Sequence, residues 1–259
     1  MEATASQQMQ IAKNVAQIGG DYMEAKDMTR AKQAIDVVRT GIFPAKGDNG
    51  ADLGLGYDHN RDGAQDITYD FTAGGATFNA AINAISVRLN ATNTPKGNRC
   101  IIMGSSWLDK FGTDSGVQAY KDANPDNILL RQQMEERFFN GIDGLFVVGQ
   151  YKPSGAIAPF WILSYEPGTG YVGYKGASEV PFVPATEAIA FSLNDKTYRI
   201  NRGVMVLDDN GKKQRAVGDL VMDTFYDNDP VTTWIRSHMR NMDVYGNIDH
   251  TCRSTGTFS

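Results

Sequence analysis

Apolar residues recur at Ile11, Val15, Ile18, Tyr22, Ala25, Met28, Ala31, Ile35 and Val38, in steps of three and four. That spacing lays one stripe along a helix and predicts a single amphipathic element over residues 5–40. Its other faces carry charges of both signs, spaced so that Lys32 can reach Asp36 one turn on. Gly19-Gly20 should thin or kink the helix, because each glycine costs about 1 kcal/mol relative to alanine. Thr40-Gly41 followed by Pro44 is a stop signal. At 1.5 Å per residue the helix would run roughly 50 Å, longer than a compact domain of this size needs.

The pattern then shortens. Residues 43–61 are rich in glycine and aspartate and read as a loop or β-excursion, and residues 66–71 alternate as a strand. Phe78, Ile82, Ile85 and Leu89 form a second helical stripe within 76–89, broken by Pro95-Lys-Gly97. The run Cys100-Ile-Ile-Met103 predicts a buried strand, residues 106–111 a helix, and residues 114–127 a turn-rich helical connection. Beyond Ile128 the chain turns to β, with strands at 145–148, 160–163, 189–193 and 204–207. Asp209-Asn210-Gly211 predicts a hairpin turn, with residues 217–226 continuing that hairpin. Residues 230–242 read as one long closing strand, whose second face carries Thr232, Trp234, Arg236, His238 and Arg240. Helices first and strands after predict an α+β fold.

Composition changes this picture little. A hydrophobic fraction of 41% with 21% charged residues excludes a disordered chain. The net charge of −5 excludes a general nucleic-acid footprint, so any polynucleotide contact must be local. Cys100 and Cys252 are the two cysteines, which indicates a reducing compartment rather than a disulfide framework. The amino-terminal residues lack the basic flank and apolar core of a signal peptide, and no run is apolar enough to cross a membrane.

Candidate chemistry is sparse. Gly168-Thr-Gly170-Tyr-Val-Gly173 matches the spacing of a dinucleotide loop, but that loop must open a helix, and here Pro181 and Pro184 follow without a helical stripe. Asp58-His-Asn60-Arg-Asp62-Gly63 resembles the start of a calcium loop, yet Tyr69 stands where a bidentate glutamate is required. His238, His250 and Cys252 fit no zinc spacing. Gly104-Ser105-Ser106-Trp107 lacks the second glycine of a nucleophile elbow. Glu135-Glu136 and Asp208-Asp209 are adjacent, so their carboxylates diverge instead of flanking a substrate. No catalytic, cofactor or metal site emerges from these residues, and no enzymatic activity is expected. What remains is adhesive. Trp234, Arg236, His238 and Arg240 form a basic and aromatic row in an acidic chain, suited to contact between subunits or with a polyanion.

Taken in order, these segments resemble phage major capsid proteins, specifically the lambda-like E family with the Hong Kong 97-type fold. Residues 21–41 are similar to the end of that family's spine helix, and residues 66–71 with 76–89 to its peripheral strand and helix. Cys100 to Phe111 resembles the entry to the axial domain, Phe139 to Ile142 with Val147 to Tyr151 its central sheet, and Asp229 to Arg240 the closing strand. The resemblance implies a spine helix at 1–41, a peripheral domain beginning at 42–98, an axial domain at 99–227, and a closing strand and tail at 228–259. It implies a homo-oligomer of pentamers and hexamers forming an icosahedral shell in a virion. That shell would enclose double-stranded DNA without reading its sequence, assemble in the host cytoplasm, and work with decoration, scaffolding and portal proteins. The family places an arm and an extended loop before the spine helix. Little precedes the helix here, so those parts are expected to be cleaved, truncated or carried by another chain. An encapsulin-like compartment, or a small-ligand or calcium-binding module using the Gly168 or Asp58 loop, are the alternative readings.

Overall fold

The computed structural model describes residues 5–41, 66–124, 144–165, 170–171, 180–195, 198–202, 205–209, 212–216, 221–228, 231–238, 241–245 and 248–258. The expected helix is α1, Ala5–Thr40, helical without interruption across Gly19-Gly20. Gly41 ends it at φ 71°, a left-handed conformation that favours glycine, and its N–H donates to the Val37 carbonyl at 2.8 Å. The predicted i,i+4 pair forms, with Lys32 Nζ 2.6 Å from Asp36 Oδ1. The excursion expected at 43–61 lies outside the described residues.

The described chain divides into two compact units, one made of 1–31 and 200–243, the other of 32–199 and 244–259. The second is built on a six-stranded mixed sheet. Its strands are β1 (Asp66–Asp70), β2 (Arg99–Met103), β3 (Leu145–Tyr151), β4 (Phe160–Tyr165), β7 (Glu187–Ser192) and β14 (Cys252–Thr257), in the order β1-β14-β7-β2-β4-β3. Between β4 and β7 the chain forms a short antiparallel pair, β5 (Gly170–Tyr171) with β6 (Val180–Pro181). Within the large sheet β1 runs parallel to β14 and β2 parallel to β4, while the other neighbours are antiparallel. The sheet therefore draws on segments 42–98, 99–227 and 228–259 alike. β2 is buried at every position, as its unbroken apolar run requires of a strand covered on both faces. One face packs Ile101, Met103, Phe160, Ile162, Ala188, Ala190 and Cys252 into a core with three helices. These are α2 (Phe78–Ala91), α3 (Ser105–Thr113) and α4 (Ser115–Ala123). The alternate positions Cys100, Ile102, Trp161, Leu163 and Ile189 are buried too. Arg39 of α1 reaches Glu187 of β7 at 3.3 Å.

Asp114 fastens α2 to α4. One carboxylate oxygen accepts the Gly116 and Val117 N–H groups at 2.9 and 3.2 Å, capping α4, and the other accepts Phe78 N–H at 2.9 Å at the start of α2. At the far end of α2, fully buried Arg99 donates to the Pro95 and Thr94 carbonyls and to Asn90 Oδ1. The guanidinium thereby satisfies acceptors at the helix C-terminus, where positive charge is favoured. Val147 and Gly149 flank a bulge in β3, and Gly149 sits at φ 155°.

The other unit contains paired strands. β9 (Met205–Asp209) pairs with β10 (Lys212–Ala216), its register setting Asp209 opposite Lys212 across the two residues Asn210-Gly211. β11 (Val221–Asn228) pairs with β12 (Val231–His238). Two sequence expectations change here. Of the residues 217–226 expected to continue the first hairpin, the described part, from Val221, does not do so, because β10 fills that place and β11 takes β12 as partner. The residues expected as one closing strand also take two partners: β12, Val231–His238, pairs with β11, and Asn241–Tyr245, β13, pairs with β8 (Tyr198–Arg202).

Candidate functional site

The row singled out in the sequence lies on β12, where Trp234, Arg236 and His238 keep their period of two. Arg240 lies outside the described residues. The register places Phe225 opposite Trp234, Asp223 opposite Arg236 and Val221 opposite His238. Residues directly opposite on one face of an antiparallel pair are neighbours, so an acidic position stands beside the arginine. The register thus sets an aromatic position opposite an aromatic one and an acidic position opposite a basic one. The sequence alone showed the arginine without the acidic position opposite it. The overlooked signal was the Asp229-Pro230 dipeptide, a turn-favouring sequence between β11 and β12.

The other candidates part company. His250 Nδ1 lies 2.7 Å from Asp195 Oδ2, whereas Cys252 is fully buried in the core of the sheet unit. Among the described residues no three metal-binding side chains converge. Cys100 and Cys252 stand on opposite sheet faces, because Cys252 aligns with Ala190 and Cys100 with Phe191. Neither is in a disulfide, and burial pushes the Cys100 thiol well above its ordinary range. Of the Gly168 loop, the described part is Gly170–Tyr171, the strand β5 paired with β6. Where a dinucleotide loop opens a helix, this segment is extended. The Asp58 loop and Glu135-Glu136 lie outside the described residues. Asp208 and Asp209 stand opposite Lys213 and Lys212 in the β9–β10 register.

Gly104-Ser-Ser-Trp107 has a packing explanation. Gly104 N–H donates to the Glu187 carbonyl at 2.9 Å, Ser106 N–H to Ala185 at 3.1 Å, and the Trp107 indole to Thr186 at 2.9 Å. A Cβ on Gly104 would press into the Pro184 and Ala185 carbonyls, so only glycine lets the two segments approach this closely. Tyr151 and Tyr165 are both pushed above the ordinary phenol range, chiefly by burial. Tyr165 stacks on Phe182 at 4.3 Å, and the Tyr151 hydroxyl donates to Asn79. Asn79 and Asn83 also pin Ser154, at 2.7–2.9 Å, fixing the turn after β3 against α2. That turn leaves Ile157 60% exposed, and Val87 of α2 is 68% exposed. The hydrogen-bonded and stacked groups hold the fold together.

The sequence matches no protein-family model and no curated protein. A crystal structure of a candidate prophage capsid protein (E. coli CFT073) does match, with a TM-score of 0.59 at 12% identity. The match covers 88% of this chain and 62% of that one, so this chain spans less than two thirds of its length. The chain shares that protein's fold. The capsid structure of cyanophage P-SCSP1u matches at 12% identity over 100% of this chain and 68% of that one. Its TM-score of 0.41 is too low to establish a shared fold. No helix among the described residues is long and apolar enough to cross a membrane.

Proposed function

We propose that the chain is a phage major capsid protein of the lambda-like E family, with the Hong Kong 97-type fold. Its copies would assemble through pentamers and hexamers into a shell around packaged double-stranded DNA. The observation that carries this reading is the fold shared with the candidate prophage capsid protein over 88% of the chain. The reading keeps the division into spine, peripheral and axial parts. It assigns residues 1–41 to the spine helix, 42–98 with the closing strand and tail at 228–259 to the peripheral part, and 99–227 to the axial part. Head-to-tail contacts around a local symmetry axis close such subunits into rings. Many modest contacts made together then stabilise a shell without any one tight interface. On this reading the Trp234 row is a contact between copies, and the negative net charge limits sticking to the enclosed genome.

Negative-stain microscopy with light scattering on the purified full chain is the test. Rings or closed particles are expected, with nucleic acid inside those isolated from infected cells; a cargo protein there would move the reading to an encapsulin-like compartment. A chain that stays monomeric under every solution condition while binding calcium or a nucleotide would refute it.

A further inference from the structure

Two turns in the sheet unit bracket the strand pair β8–β13. Asp195 precedes β8 by three residues, and His250 follows β13 by five. The Asp195 turn is rigidly anchored. Asp195 N–H donates to the Ser192 carbonyl, Asn194 N–H to Ser192 Oγ, and Ser192 Oγ in turn to the Gly97 carbonyl at 2.9 Å. Leu193 N–H and the Asn98 side chain add two more links between the same turns. The His250 turn is anchored as well. It is a 3-10 turn, Ile248–His250, whose Ile248 carbonyl accepts both the N–H and the hydroxyl of fully buried Thr251. The two turns meet where His250 Nδ1 lies 2.7 Å from Asp195 Oδ2. The aspartate side chain is 3% exposed and the histidine 19%, so water competes little for either group.

We propose that His250–Asp195 is a latch that keeps β8 and β13 paired where the chain leaves the sheet unit and returns to it. A two-stranded pair is marginal by itself. Drawing its entering and leaving segments together removes the loop-closure entropy that the pair would otherwise have to overcome. The latch is independent of what the chain assembles into, so it stands or falls separately from the capsid reading.

Amide hydrogen exchange on the full-length chain tests it. In His250→Ala, amides of β8 and β13 should exchange about tenfold faster or more, the effect of losing a hydrogen bond to a charged group, with β2, β4 and β7 unchanged. His250→Gln, which can still donate to Asp195, should keep most of the protection. Unchanged exchange in His250→Ala, equal acceleration throughout the sheet, or failure of that variant to fold would each overturn the latch. So would a glutamine variant as unprotected as the alanine one.

Discussion

Replacing Asp114 with alanine removes one side chain that serves two helices. Its loss uncaps α4, at a cost of about 1 kcal/mol. The negative charge beside two helix N-termini goes as well, typically about 0.3–1 kcal/mol for each. Phe78 N–H, partly buried at the start of α2, loses its carboxylate acceptor, for about 1–3 kcal/mol more. These terms overlap, and Asp114 is only half-buried, so the expected total is about 3 kcal/mol rather than their sum. An asparagine side chain at this position keeps one acceptor and loses the charge, so Asp114→Asn should cost about 1 kcal/mol. Urea unfolding followed by circular dichroism measures both. A second readout is spectroscopic. The Asp114 charge is the next cause after burial of the raised Tyr151 pKa, so Asp114→Asn should lower that pKa part of the way while burial holds the rest. An alanine variant within about 0.5 kcal/mol of the parent would refute the double-cap account.

Alkaline stability follows from Tyr165, Tyr151 and Cys100, whose pKa values folding raises. Their stabilisation is complete below the unfolded values, 9.0 for the thiol and 10.0 for the phenols, and is lost as pH rises beyond them; Tyr165→Phe should flatten the decline above about pH 10 in a pH series of melting temperatures. At exposed Gly20 an added Cβ meets nothing, so Gly20→Ala should stabilise α1 by roughly 0.5–1 kcal/mol, whereas Gly104→Ala should destabilise by more than that because backbone carbonyls block the site; urea midpoints report both. Trp234→Ala or Arg236→Ala should lower particle yield more than the solubility of the unassembled chain, and unchanged yield on sedimentation removes the contact assignment. Ile35→Pro, deep in α1 and 7% exposed, should cost about 3 kcal/mol or more and abolish folding; unchanged helicity by circular dichroism would contradict that.

Local signals predicted local structure well. The stripe ending at Thr40-Gly41 set the bounds of α1, and the unbroken run at Cys100 to Met103 set β2, since a strand covered on both faces has no polar alternation. Asp114 was legible in principle, as an N-cap before the Val117 stripe, but its second bond, to Phe78, depends on how α2 packs. Arg99 was not legible, because a buried cation held by neutral acceptors is recognised only once those acceptors are in place, two of them carbonyls of the preceding turn. Strand partners were the weakest point. Asn210-Gly211 outranked Asp229-Pro230 as a turn signal and drew residues 217–226 to the wrong neighbour. Both hairpins are local, so the choice rested on ranking the two turn signals, and distance along the chain could not decide it.

That error bears directly on the candidate contact. Read as a lone strand, residues 230–242 offered an uncompensated basic edge, suited to a polyanion as much as to a protein. Paired with β11, the row has Asp223 opposite Arg236 and Phe225 opposite Trp234. On the proposed capsid reading, a strand whose register sets an acidic position opposite its arginine is less suited to phosphate than a lone basic edge. It is better suited to a protein surface, where aromatic residues and arginine anchor contacts and like charges are penalised. The register thus favours another copy of the chain over the genome as the partner of this row.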